Sequence, residues 1–104
     1  MKVIWNNHKY ELANFENKSA PGQIIQFIEK VPVSEGSKEM KTVNDGTTNE
    51  EVIEMLVDRL NGLNAKFPCR ENAIALTHLE TALLWLNKRT ADRIKRGVEG
   101  QHTK

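Results

Sequence analysis

From about Arg70 to Arg96 the chain contains neither Gly nor Pro, and Gly97 then supplies a natural C-terminal stop. Leu76, Leu79, Leu83 and Leu86 recur along this stretch at steps of three and four, the mark of one long amphipathic helix. Ile74, Leu84 and Trp85 fall outside that seam, so the helix is apolar on more than one face. Such a helix has to pack against more than one neighbour. A chain of 104 residues offers few neighbours of its own, and small chains gain burial by assembly. The extra neighbour is expected to be another copy of the same protein.

A second helix precedes it. In "DGTTNEEVIEML" Thr48 stands three residues before Glu51, the spacing of a capping box in which two side chains satisfy orphan amides reciprocally. Ile53, Leu56, Leu60, Leu63 and Phe67 then form a heptad-like seam, and Pro68 separates the two helices. Upstream the pattern is β. "KVIW-NN-HKYEL" sets two runs rich in Val, Ile, Trp and Tyr around Asn6-Asn7, and Asn tolerates the positive φ of a two-residue hairpin turn. "PGQIIQFIEKVPV" reads as a strand bounded by prolines, although positions 24, 27, 28 and 31 also fit a helical face. Residues 34–46 read as a polar loop with a brief strand at Lys41–Val43. The expected fold class is α+β: a small N-terminal antiparallel β-sheet followed by a two-helix C-terminal hairpin, homo-oligomeric. The expected organisation is a single domain over 1–104, with a β-rich part at 1–46 and the helical hairpin and tail at 47–104. The tail "VEGQHTK" is expected to be mobile.

Several chemistries find no support. No apolar run approaches the roughly 20 residues a membrane helix needs, and the opening "MKVIWNNHKYEL" lacks the apolar region of a signal peptide. Cys69 is the one cysteine, so no internal disulfide forms; a reducing cytoplasm and a small buried side chain are expected. His8, His78 and His102 have no metal-ligand spacing. "HLE" at 78–80 and "PC" at 68–69 are fragments of a zinc deaminase signature, but in reversed order and without its second Cys. Gly46 and Gly62 are isolated and make no phosphate loop, and no carboxylate pair is placed for acid–base work. Neither an enzyme nor a bound metal or cofactor is expected.

Charge is where the chain departs from the ordinary. Residues 1–47 are neutral overall, 48–86 are net −3 and 87–104 net +4, within a whole-chain +1. In "RTADRIKRGVEG" Arg89, Arg93 and Arg96 step by four and three, so on a helix they share one face. Guanidinium groups are permanently charged forks that match phosphate oxygens. The alternative is that these cations complement the helix macrodipole, with Asp92 and Glu99 as partners. Upstream, "PCRENAIALTHLETALLWL" carries Arg70, Asn72, Thr77, His78 and Thr81 on an otherwise apolar helix. The Asn72 amide both donates and accepts, as reading a nucleobase edge requires. Against that, Arg70, Glu71 and Asn72 would fall in the first helical turn, where polar residues cap.

"CRENAIALTHLETALLWLNKRTADRIKRGVEGQH", residues 69–102, resembles the helical hairpin of phage proteins that sequester cyclic-nucleotide immune signals. The likeness is to the Thoeris anti-defence sponge family, which shares this hairpin with the anti-CBASS sponges, and "MKVIWNNHKYELANFEN" is similar to the Thoeris-type members. The resemblance implies a homohexamer built as a trimer of dimers and acting in the cytoplasm of the infected bacterial host. It implies glycocyclic ADP-ribose signals as ligands, with cyclic trinucleotides at separate sites near a threefold axis. Carried onto this chain, Arg89 and Arg93 would take the pyrophosphate, with Arg96 beside them, and Asn72 the adenine. Gly62 stands where a bulkier residue is expected, so Phe67 becomes the candidate for stacking. Arg70 and Thr77 are the candidates for the trinucleotide. Two other classes compete: an oligomeric scaffold or interaction module without a small-molecule ligand, and a nucleic-acid clamp, which would show a steep salt dependence.

Overall fold

The computed structural model describes residues 1–95. Five strands precede two helices: β1 Lys2–Trp5, β2 Lys9–Leu12, β3 Gln23–Gln26, β4 Glu29–Pro32, β5 Met40–Asn44, α1 Asn49–Lys66 and α2 Arg70–Lys95. The class is α+β. Among the described residues, 1–48 form one compact unit and 49–95 a second.

In the first unit, β1, β2 and β3 make an antiparallel sheet in that order. The β1–β2 turn falls where the asparagines suggest, with Asn7 at a φ of 67°, but Trp5 pairs with Lys9, so the loop takes in His8 as well and has three residues rather than two. The segment from Gln23 to Pro32 is two strands rather than one. Its amides change partners midway: that of Phe27 bonds the His8 carbonyl at 2.6 Å, whereas that of Ile28 bonds Thr47 at 2.9 Å. β3 therefore completes the first sheet, and β4 pairs with β5 in a second, two-stranded one. β5 is longer than the brief strand expected at Lys41–Val43, since the register couples Pro32 to Met40 and Glu29 to Asn44. Two glycines permit close crossings. A Cβ on Gly22 would run into the Leu12 carbonyl, and one on Gly46 into the backbone of Gln26 and Phe27. Tyr10 and Phe27 meet edge to face at 6.0 Å, a geometry that ring quadrupoles favour.

In the second unit α1 and α2 pack as a hairpin. Thr48 stands at the N-cap position of α1, as its spacing from Glu51 suggests. On α2 the inward side runs through Asn72, Leu76, Leu79, Leu83, Leu86, Thr90 and Arg93. The leucine seam read from the sequence is therefore the packed one, and Ile74, Leu84 and Trp85 lie outside it. On α1 the half-buried side runs through Ile53, Val57, Leu60 and Asn64. Leu56, Leu63 and Phe67 lean outward, unlike the seam read from the sequence. Val52 and Val57 widen the apolar arc of α1, so periodicity alone admits two neighbouring seams, and packing against α2 selects one.

Among the described residues only Leu76 and Arg93 are buried. Cys69 is exposed rather than buried, because it caps a helix. Its Sγ accepts the Asn72 amide at 3.4 Å, and its carbonyl accepts the Ala73 amide at 3.2 Å. No described helix is long and apolar enough to cross a membrane. The expected stop at Gly97, the mobility of the tail and the roles of Arg96 and Glu99 fall outside the described residues.

Candidate functional site

The candidate residues fall at the two ends of α2. Phe67, Arg70 and Asn72 cluster at the hairpin turn, whose backbone is held by side chains: the Cys69 amide donates to Asn64 Oδ1 at 3.1 Å. Because Cys69 supplies the cap, the Asn72 carboxamide is not consumed in capping. It is half-buried and makes no hydrogen bond with another described residue. Phe67 and Arg70 are exposed. Thr77 is exposed one turn further on, and its hydroxyl donates to the Ala73 carbonyl at 3.1 Å. Toward a ligand that oxygen is an acceptor while the bond holds. Thr81 repeats the arrangement on the Thr77 carbonyl at 2.8 Å.

At the other end, Arg89 lines an open pocket of about 250 Å³ with Trp85, Lys88 and Asp92. Lys88 Nζ and Asp92 Oδ2 are 2.8 Å apart. The one carboxylate lining this pocket among the described residues is thereby paired with Lys88, and Arg89 has no ion pair among them. An exposed guanidinium beside a two-thirds-exposed indole offers forked donors and a flat apolar wall together. Arg93, one turn on, is 6% exposed. Arg89 and Arg93 thus share a side of the helix in the loose sense of the sequence pattern, yet one faces the pocket and the other is buried.

The sequence reading missed Trp85, Lys88 and Asp92 as lining residues. The signal was present: Trp85 and Arg89 stand four apart, and so do Lys88 and Asp92. Trp85 was read only as apolar surface.

The two clusters do not meet within one chain. From Asn72 to Arg89 the rise along a continuous helix is roughly 26 Å. Each end can recognise a different part of a ligand, but one small molecule cannot touch both on the same copy. Among the described residues no group of three His, Cys, Asp or Glu side chains is placed to hold a metal.

Residues 23–91 match the family described as "Acb2/Tad1, hairpin domain", a span running from β3 to Ala91. The chain is also similar to "Thoeris anti-defense 1" of Bacillus phage SBSphiJ7, at 47% identity over 87 residues. That match takes in 72% of this chain and 61% of the phage protein's length.

Proposed function

The chain belongs to the Acb2/Tad1 hairpin-domain family, and from that membership we propose that it is a phage anti-defence protein that binds and sequesters, without degrading, the nucleotide signal of Thoeris immunity. The ligand class is glycocyclic ADP-ribose, with cyclic trinucleotides as a second class. It acts in the cytoplasm of the infected bacterium.

The observation that carries the reading is the Trp85–Arg89 pocket, a guanidinium with no ion pair among the described residues beside an open apolar wall. A pyrophosphate is a natural occupant, since charge-assisted forked bonds to phosphate are among the stronger polar contacts. The adenine falls to Asn72, whose carboxamide has hydrogen-bonding capacity to spare. Because Asn72 and Arg89 are roughly 26 Å apart on one helix, the pocket is completed by a second copy whose α2 runs antiparallel to the first. The exposed stripe Ile74, Thr77, Thr81, Trp85 and Lys88 suits that arrangement. With Thr81 on the twofold axis, Ile74 would face Lys88 of the copy and Thr77 its Trp85, each contact made twice. Pairing such dimers in threes makes the homohexamer, and Arg70 and Thr77 then take the trinucleotide. Nanomolar retention corresponds to about −12 kcal/mol. Several charged hydrogen bonds in a pocket closed by two copies are a plausible source.

The test is bind-and-release. The protein is incubated with glycocyclic ADP-ribose, filtered free of unbound ligand and heat-denatured, and the released compound is identified by chromatography. Recovery of intact signal supports sequestration. A modified product means catalysis, and signal left in the filtrate sends the search to trinucleotides and then to the scaffold reading. Arg89→Glu is the sharper variant. It should weaken binding at least 100-fold, about 3 kcal/mol from lost charged bonds plus repulsion, with the helical circular dichroism unchanged. Arg93→Glu cannot serve the same purpose, because it sets a carboxylate at a buried position and perturbs folding as well.

The scaffold alternative draws on the exposed Ile74, Leu84, Trp85 and Ile94 of α2. It predicts assembly with no ligand at all.

A further inference from the structure

We propose that the sheet unit carries a separate binding site for a sugar phosphate, in the pocket of about 230 Å³ lined by Met1, Lys2, Glu11, Ala13, Lys18 and Ala20. The inference does not depend on the α2 site.

It begins with an ion pair that does not form. Lys2 and Glu11 are direct partners across the β1–β2 ladder, where opposite charges ordinarily attract. Glu11 Oε2 instead accepts the Gly22 amide at 3.0 Å. The backbone enforces that choice: Gly22 crosses so close to the Leu12 carbonyl that no side chain fits there. The amide therefore stands against β2 within reach of Glu11. Neither Lys2 nor Lys18 has a carboxylate partner among the described residues. Two lysines without a carboxylate partner among the described residues thus line one pocket with a half-buried Glu11, whose Oε1 accepts no hydrogen bond from a described residue.

The loop that presents Lys18 is braced in advance. Asn14 Nδ2 donates to the carbonyls of Asn17 and Pro21 at 3.2 and 3.1 Å, and its Oδ1 accepts Gln23 Nε2 at 2.7 Å. Ser19 Oγ donates to Asn17 Oδ1 at 2.9 Å. A pre-ordered loop spares a ligand much of the ordering cost of binding.

The charge pattern selects the chemistry. Two ammoniums attract a phosphoryl group, whereas Glu11 repels an anion laid against it and accepts hydrogen bonds from hydroxyls. A phosphate on Lys2 and Lys18 with sugar hydroxyls on Glu11 Oε1 satisfies all three, and Met1, Ala13 and Ala20 supply apolar walls for the sugar carbons.

The experiment is an amide-resolved NMR titration of the full chain with ribose 5-phosphate, with inorganic phosphate as comparator. Expected are saturable shifts at the amides of Glu11, Ala20 and Gly22, with dissociation constants in the millimolar range. Lys2→Gln and Lys18→Gln should each weaken binding roughly fivefold, as exposed ion pairs allow. Glu11→Gln should weaken ribose 5-phosphate but tighten inorganic phosphate, a crossover that a purely structural role for Glu11 would not produce. Arg89→Glu should leave the titration unchanged. The proposal is overturned if no saturable shift appears at these amides, if Lys2→Gln and Lys18→Gln both bind as well as the parent, if Arg89→Glu abolishes the shifts, or if Glu11→Gln moves both ligands alike.

Discussion

The sheet unit and the helical hairpin face the same shortage of apolar material and meet it differently. None of the described residues of the sheet unit is buried. Its first four strands are four residues long and its fifth is five, and it is held by ladder bonds, by the Asn14 brace and by the Tyr10–Phe27 contact. The hairpin is held by a seam of side chains in which Leu76 is the one buried apolar residue among those described. One unit therefore relies on directional polar bonds and the other on packing. In neither does the chain bury what it has: Trp5, Ile24, Leu84, Trp85 and Ile94 all remain exposed. That shared deficit is what assembly of copies would repair.

The contrast can be broken by substitution. Leu76→Ala should have the largest effect on stability. Removing a buried leucine from a packed seam costs about 3 kcal/mol, read as a lower urea midpoint for loss of helical signal. A cost under about 1 kcal/mol would mean that the seam is not the hairpin's main support. Asn14→Ala should come next, at about 1–2 kcal/mol, because it deletes a carboxamide that makes three hydrogen bonds. Hydrogen exchange at residues 13–23 should report the change without disturbing α1. If exchange stayed as slow as in the parent, polar bracing would not be what orders the sheet unit. Gly62→Ala should be the smallest and of opposite sign. A Cβ there meets nothing within 4 Å, and Ala exceeds Gly in helix interiors by roughly 0.5–1 kcal/mol. Thermal denaturation that showed a loss instead would place an unseen neighbour at this position, as a close inter-copy contact would supply.

Both regions were largely legible, though not to the same depth. Asn6-Asn7 announced a turn, Thr48 with Glu51 announced a helix start, and Pro68 marked the break between helices, because each depends on the local conformational preference of a few residues. The leucine seam of α2 followed from its period. The strand pair hidden in residues 23–32 did not, because the change of partner at Phe27 and Ile28 depends on where Thr47 returns. The Arg-rich stretch marks a concentration of charge in the sequence itself. It could not separate an exposed Arg89 from a buried Arg93, one turn apart.

What the sequence determined by itself is what short-range chemistry controls: the start of α1, the break between the helices, the place of the β1–β2 turn, the two apolar faces of α2 and the family resemblance. The tertiary structure alone decided which α1 seam packs, that Arg93 is buried while Arg89 is exposed, and that Glu11 turns from Lys2 to Gly22. Those outcomes depend on which groups meet across the fold, and a polar side chain with two available partners is settled by geometry that no local pattern encodes.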